Sequence, residues 1–182
     1  MKKFIYILGS LLFIILVTNA NAQKTSTPKT TTKKETKAAP AQAAPAPAPT
    51  PKARVALHRF NCSGNHLYTA NKEEGMKGNC SYEGVVGYIY DSEGDGSVAL
   101  YRFYNQAKGT HFYSSDREEG MKAGFAYEGV TGYVQPSEKS GTKPLYRYNN
   151  GKEHFYTCDE NEGVKGKYKY EGIAGYIYSA EK

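Results

Sequence analysis

The sequence predicts an all-β domain made of three copies of one unit, with one short helical turn in each copy. Three observations support this prediction. Four short motifs recur in the same order three times, with a period of 43 to 45 residues. Two of the motifs alternate apolar and polar residues, as half-buried strands do. The repeated region also holds 16 of the 17 tyrosines, and tyrosine favours strands.

The first two motifs of each unit predict a pair of antiparallel strands. The first motif is LHRFN, LYRFYN or LYRYNN, and it begins at Leu57, Leu100 and Leu145. The second motif is HLYTA, HFYSS or HFYTC, and it begins at His66, His111 and His154. Asn and Gly residues between the two motifs are typical of a hairpin turn.

The third motif, NKEEG, DREEG or DENEG, predicts a helix of one or two turns. An Asn or Asp at the first position suits a helix N-cap, and the Glu three residues later completes a capping box. A glycine follows directly and limits the length of the helix. The N-cap candidates are Asn71, Asp116 and Asp159, and the capping-box glutamates are Glu74, Glu119 and Glu162.

The fourth motif, YEGVVGY, YEGVTGY or YEGIAGY, predicts the third strand of the unit. It begins at Tyr82, Tyr127 and Tyr170. Its two glycines indicate a β-bulge or a close approach of another backbone.

Three such units are expected to share one core around an axis, because a single three-stranded unit cannot bury its apolar face alone. We predict a β domain over 54–182, with repeats at 57–99, 100–144 and 145–182. A pseudo-threefold, β-trefoil-like barrel fits the number and length of the units. A three-bladed, propeller-like arrangement is the alternative.

The motif order L-Y-R-[FY], H-[FY]-Y-[ST], Y-E-G-[IV]-x-G-Y resembles an uncharacterised family of secreted repeats, a domain of unknown function. In that family the unit usually occurs in threes, in exported bacterial and fungal proteins, alone or attached to hydrolases. The resemblance covers Leu57 to Tyr178. It implies an exported accessory module that binds a ligand, and it supplies no catalytic residues.

The N-terminal third of the chain predicts export. Residues 1–22 have two lysines, an apolar run and a small-x-small site ending at Ala22, which is the pattern of a signal peptide. The membrane is therefore expected to be a partner only during export. Residues 23–53 form a Lys/Thr-rich and then Ala/Pro-rich segment, which predicts a disordered linker. We expect a periplasmic or extracellular protein.

Most of the positive charge lies outside the repeats. The chain has a formal net charge of +6, whereas residues 54–182 carry −1. A nucleic-acid partner is therefore not expected, because such a domain needs a basic surface. The sequence also shows no phosphate-binding loop, zinc spacing or G-x-S-x-G motif, so we expect no cofactor, no metal and no enzymatic activity.

Two sets of repeated polar and aromatic residues are candidates for function. One set consists of an Arg and a Glu in each unit: Arg59, Arg102, Arg147, Glu83, Glu128 and Glu171. We interpret these as polar braces, although three equivalent polar sites remain the alternative. The other set consists of the His and Tyr of the second motif, which share one face of a strand: His66, Tyr68, His111, Tyr113, His154 and Tyr156. These are our ligand-binding candidates, and packing is the alternative for the tyrosines.

The three cysteines predict one disulfide. A Cys62–Cys80 bridge would close about 18 residues and stabilise the fold by about 3 kcal/mol. Cys158 would then be free or would link two chains.

The expected function is recognition of a carbohydrate or a cell-envelope glycan by a lectin-like module. The alternative is a protein-binding accessory or inhibitor of an exported enzyme. In that case we expect the loops Asp91–Gly96 and Ser137–Pro144 to bind, because each occurs in one unit only.

Overall fold

The three units fold alike, each into three antiparallel strands with one short helix between the second and third strand. The computed structural model describes residues 52–180. The predicted signal peptide (1–22) and nearly all of the predicted linker (23–53) lie outside the described residues.

We call each unit a blade. Blade 1 contains β1 (Arg54–Cys62), β2 (Asn65–Thr69), α1 (Lys72–Lys77) and β3 (Ser81–Tyr90). Blade 2 contains β4 (Val98–Asn105), β5 (Thr110–Ser114), α2 (Arg117–Lys122) and β6 (Ala126–Val134). Blade 3 contains β7 (Thr142–Asn149), β8 (His154–Thr157), α3 (Glu160–Lys165) and β9 (Lys169–Tyr178). Each first strand begins two or three residues before the predicted start of its repeat, because residues ahead of the first Leu also pair with the third strand.

The all-β class is confirmed, but the β-trefoil-like barrel is wrong, since residues 52–180 form no closed barrel. The first strand of each blade lies in the middle and pairs with the second and third strands of the same blade. Neighbouring blades share only single backbone bridges: Tyr90 with Tyr133, Tyr88 with Tyr178, and Gln135 with Tyr176. A barrel requires strands of different units to pair along their length. The structure is therefore the propeller-like alternative, with three small sheets around a pseudo-threefold axis.

The two glycines of the third strand have different roles. Gly84 has a φ of +132° and lies at a shift in register between β1 and β3, so it forms part of a bulge. Gly87 allows close packing between blades, because a Cβ there would lie 2.6 Å from Cδ1 of Ile177 in blade 3. Gly132 and Gly175 make the same approach to Ile89 and Val134, so the three contacts run around the axis.

The predicted N-caps form, but the predicted capping boxes do not close directly. The Asn71 side chain accepts a hydrogen bond from the Glu73 N–H, as an N-cap should. The hydroxyl of Thr69 accepts the N–H of Asn71 and donates to the carboxylate of Glu74. The glutamate therefore reaches the cap through a hydroxyl, which leaves its second oxygen available to the next blade. Ser114 with Glu119, and Thr157 with Glu162, repeat the arrangement.

Three tyrosines fill the centre of the domain, and each is 1% exposed. Tyr68, Tyr113 and Tyr156 pack edge to face, with ring centroids 5.3 to 5.5 Å apart. The second strands β2, β5 and β8 each pair with one strand only, so one edge of each has no strand partner. The tyrosine hydroxyls supply those partners. Tyr113 Oη accepts the Tyr68 N–H and donates to the Tyr68 carbonyl, both at 2.9 Å.

The same bonds continue around the axis. Tyr156 Oη accepts from the N–H and donates to the carbonyl of Tyr113, both at 2.8 Å. Tyr68 Oη accepts the N–H of Tyr156 at 2.8 Å. We call these bonds the tyrosine ring. They pair backbone groups that would otherwise be buried without a partner, which costs about 1–3 kcal/mol for each group.

We predict that Tyr113→Phe lowers the free energy of unfolding by about 2–4 kcal/mol, because it leaves the Tyr68 N–H and carbonyl unpaired. Urea denaturation followed by circular dichroism measures this change. Tyr127→Phe is the matched control, since Tyr127 is 41% exposed and should change stability by less than about 0.5 kcal/mol. Equal effects of the two substitutions would contradict the role of the ring.

Candidate functional site

The structure places the predicted ligand-binding tyrosines in the core. Tyr68, Tyr113 and Tyr156 point toward the axis, and their hydroxyls are engaged in the tyrosine ring. A side chain that is 1% exposed cannot contact a ligand from solvent. The prediction that these three tyrosines bind a ligand is therefore wrong, and the packing alternative applies.

The predicted histidines are largely buried, and two of them, His66 and His154, pack against the neighbouring blade. The side chains of His66, His111 and His154 are 10%, 20% and 15% exposed. The His66 ring packs edge to face on Phe155 of blade 3, with centroids 4.9 Å apart, and His154 packs on Phe112 of blade 2 at 4.7 Å. These rings contribute to blade packing rather than to an open surface.

Each predicted Arg–Glu pair forms, and each Arg also binds a second carboxylate from the neighbouring blade. Within blades, Arg Nε lies 2.7, 3.0 and 3.2 Å from the Glu of the fourth motif: Arg59–Glu83, Arg102–Glu128 and Arg147–Glu171. Between blades, the Arg side chain binds the glutamate of the adjacent short helix at 2.7 to 2.9 Å: Arg59–Glu162, Arg102–Glu74 and Arg147–Glu119. The sequence reasoning assigned these helical glutamates to capping and missed their second role.

The inter-blade ion pairs lower the pKa of two helical glutamates, Glu162 and Glu119, and so favour their charged form. The hydrogen bond from Arg59 lowers the pKa of Glu162 below its ordinary value, despite partial burial. Burial raises the pKa of Glu119, but hydrogen bonds from Arg147 and Ser114 outweigh it, so the net shift is downward. A carboxylate held in this way is a poor proton donor near neutral pH.

Glu153 is a buried carboxylate that sequence reasoning did not single out. It is 3% exposed and lies between blades 3 and 1, where the equivalent residues of the other blades are Asn65 and Thr110. It accepts the His66 N–H at 2.8 Å and the Tyr168 hydroxyl at 2.6 Å, and it lies 3.0 Å from His66 Nδ1. Burial raises the pKa of Glu153, but these hydrogen bonds outweigh it and the pKa lies below its ordinary value.

We predict that the domain loses stability as the pH falls from about 6.5 to about 4. Burial, together with the nearby positive charge of Arg102, lowers the pKa of His111 to about 4. The folded state therefore keeps His111 neutral in a range where the unfolded chain binds a proton. This contribution is complete above pH 6.5 and decreases with a slope approaching about 1.4 kcal/mol per pH unit. Thermal unfolding measured from pH 7.5 to 4 tests it.

The control separates His111 from other acid-sensitive groups. His111→Gln should flatten the stability profile between pH 6.5 and 4. His58→Gln should retain most of the slope, because His58 is only partly buried and its pKa is lowered less. An unchanged slope in His111→Gln would contradict the assignment.

Exposed aromatic residues lie on the face of each blade opposite to the one that carries the inner tyrosines. Tyr82, Tyr127 and Tyr170, the first residues of the fourth motif, are 40%, 41% and 51% exposed. Residues paired directly across two antiparallel strands share a face. By this register the face that carries Tyr82 in blade 1 also carries His58, Phe60, Val85 and Tyr88. Phe60 and its equivalents Phe103 and Tyr148 are buried, whereas the first residue of the fourth motif is exposed. We call four of the other residues on this face of each blade its aromatic stripe. The stripes are His58, Tyr82, Val85 and Tyr88; Tyr101, Tyr127, Val130 and Tyr133; and Tyr146, Tyr170, Ile173 and Tyr176.

Within each stripe, two aromatic rings lie side by side. The ring centroids of Tyr101 and Tyr127 are 6.2 Å apart, and those of Tyr146 and Tyr170 are also 6.2 Å apart. In blade 1, His58 replaces the first tyrosine, and its Nδ1 lies 3.2 Å from the hydroxyl of Tyr82. The two rings of each tyrosine pair meet edge to face, with ring planes 62° and 66° apart. Cationic side chains lie over two of the exposed rings, since Lys72 Nζ is 4.5 Å from the Tyr82 centroid and Arg117 Cζ is 4.6 Å from the Tyr127 centroid.

The stripe of blade 2 borders a shallow groove. Tyr101, Val130 and Tyr133 line it together with the polar side chains of Ser97, Ser115 and Glu93. Apolar rings beside a few hydroxyl and carboxylate groups are typical of a site that orients a small polar ligand. Side chains alternate between the two faces of a strand. Because the His-x-Tyr residues lie on the buried face, this alternation could have indicated the opposite face from the sequence.

Other features of the described residues bear on compartment and chemistry. The structure joins Cys62 to Cys80 in a disulfide, which links the end of β1 to the start of β3. Cys158 is free and partly buried, and burial raises the pKa of its thiol to about 11. Within residues 52–180, no group of His, Cys, Asp and Glu is arranged to hold a metal ion. No helix in this part of the chain has the length and apolar character needed to cross a membrane.

These features define a disulfide-containing, three-bladed β module. The chain matches the family described as a domain of unknown function (DUF5648) over residues 17–123 and again over 59–178. The second match spans about two thirds of the chain, and the protein belongs to this family. Searches of curated proteins and of solved structures found no match.

Proposed function

We propose that this protein is an exported, non-catalytic recognition module that binds a carbohydrate or cell-envelope glycan through its three aromatic stripes. The observation that carries the proposal is the exposed tyrosine repeated in each blade, Tyr82, Tyr127 and Tyr170, which packs beside a half-buried aromatic residue of the first strand. A tyrosine side chain offers an apolar face and a hydroxyl. These match the apolar face and the hydroxyl groups of a sugar. The Ser115 and Glu93 side chains beside blade 2 can bond sugar hydroxyls.

Three equivalent stripes favour a polymeric ligand. A single aromatic stripe is expected to bind weakly, but several stripes that engage one glycan chain together raise the avidity without new kinds of contact. A polysaccharide offers the same unit many times, as the blades offer the same stripe. The arrangement therefore suits recognition of a repeating glycan better than recognition of a single small molecule.

The polar clusters support a role without catalysis. Each repeated Arg binds two carboxylates, and each repeated His lies beside the carboxylate of the fourth motif in its own blade. Side chains committed to one another in this way serve to hold the blades together and leave no activated nucleophile with an orienting base. Export is supported by the predicted signal peptide and by the Cys62–Cys80 disulfide, which suits an oxidising compartment.

A protein ligand is the second candidate, and one observation favours it. The short helices expose Met76, Met121 and Val164, which are 60%, 50% and 65% exposed. Exposed apolar side chains of this kind are typical of protein contacts. The loops predicted for this role are connected to each other, since Lys139 Nζ donates to the Asp95 carbonyl at 2.8 Å.

A glycan array and a peptidoglycan pull-down test the proposal, with variants that separate the two candidates. We predict that the triple variant Tyr82→Ala, Tyr127→Ala, Tyr170→Ala loses at least about 100-fold in apparent affinity, whereas each single change loses about tenfold or less. The matched control, Met76→Ala, Met121→Ala, Val164→Ala, should retain glycan binding.

Circular dichroism on the same variants checks that the fold is intact. Each exposed tyrosine should contribute no more than about 1 kcal/mol to stability. Absence of binding in both assays would overturn the carbohydrate proposal. Binding that the helix control abolishes and the tyrosine variant retains would favour a protein ligand.

A further inference from the structure

A second pocket lies where the hairpin turns of the three blades meet. We call it the axial pocket. The bridges between β3, β6 and β9 lie on the other side of the tyrosine ring. Blade 1 contributes Gly64 and Asn65, blade 2 contributes Lys108, and blade 3 contributes Asn150, Gly151 and Lys152. Its volume of about 500 Å³ falls within the range of small-ligand sites.

The axial pocket is positively charged, although the repeats as a whole carry −1. Lys108 and Lys152 come from different blades and line the same opening, and no carboxylate lines it. Among the salt bridges of residues 52–180, neither lysine takes part in one. Burial is the main cause of the lowered pKa of His154 in blade 3. The charge of Lys108 in blade 2 adds to this shift, so it acts across the blade boundary.

The walls of the axial pocket are held in place. Asn150 Oδ1 accepts the N–H groups of Lys152 and Glu153 at 2.9 and 3.0 Å, which fixes the turn before β8. The Lys108 N–H bonds both the carbonyl and the side chain of Asn105. Glu153 directly follows Lys152, and His66 directly follows Asn65. The buried contact between Glu153 and His66 therefore links the blade 3 and blade 1 walls of the pocket. A pocket fixed before binding loses less entropy when a ligand enters.

We propose that the axial pocket binds an anionic sugar unit, one that carries a carboxylate, as in a uronic acid. The two ammonium groups match the carboxylate. The amide of Asn65 can both donate to and accept from sugar hydroxyls, and the amide N–H groups of Asn150 can donate to them. This inference rests on the proposed glycan function and narrows its ligand to an acidic polysaccharide. The stripes contact the sugar rings, and the axial pocket selects the charged unit.

Titration of the full chain with trigalacturonate, followed by amide NMR, tests the inference. We expect shifts at the Gly64 and Gly151 amides, and affinity that falls as salt is added. Lys108→Ala with Lys152→Ala should weaken binding at least about tenfold. The matched control is Lys122→Ala with Lys165→Ala, two lysines in the last turns of α2 and α3, and it should bind as the unchanged protein does.

Further probes separate the failure of this inference from the failure of the glycan proposal. The neutral methyl ester of trigalacturonate should bind the axial pocket at least about tenfold more weakly than the acid. A neutral glycan that binds the stripes should bind the Lys108→Ala, Lys152→Ala variant as tightly as it binds the unchanged protein. Equal binding of acid and ester, or equal loss in both lysine variants, would overturn the axial site while leaving the stripes intact. Inorganic sulfate that binds as tightly as trigalacturonate would overturn recognition of a sugar.

Discussion

The pairing of three buried strand edges at the centre of the domain is the constraint on which the rest of the structure depends. A three-stranded blade leaves one edge of its second strand open, and three blades bring those edges together around the axis. An apolar residue could fill the space but could not pair the backbone groups. Tyrosine does both, because its ring packs against its neighbours and its hydroxyl bonds the next strand. In this structure the three blades together close the ring of hydrogen bonds.

The other contacts between blades follow the same direction around the axis. Each third-strand glycine admits a side chain of the neighbouring blade, and each Arg binds a helical glutamate of the blade beside it. These contacts commit the repeated polar residues to assembly. The surfaces that we propose for recognition are the outer face of each sheet and the axial pocket. The tyrosines therefore divide into an inner set that builds the fold and an outer set that faces solvent.

Much of the fold could be predicted from the sequence. The motif spacing gave the three units, the alternating motifs gave the strands, and Asn71 and its equivalents marked the short helices. The arrangement of the units could not be predicted, because strand patterns do not reveal whether a unit pairs its strands internally or with its neighbours. The inner tyrosines are predicted to bind a ligand for a related reason: strand alternation shows that His66 and Tyr68 share a face, but it does not show whether the neighbouring blades cover that face. Glu153 has no counterpart in the other blades, so the repeat offered no signal for it.

In the function that we propose, the outer tyrosines contact the glycan and the inner ones do not. Photochemically induced nuclear polarisation, which detects tyrosine side chains that a dye can reach, distinguishes the two sets. We predict signals from Tyr82, Tyr127 and Tyr170, no signals from Tyr68, Tyr113 and Tyr156, and loss of the outer signals when a glycan that the protein binds is added. Outer signals that persist when the protein is saturated with that glycan would show that these tyrosines do not contact it.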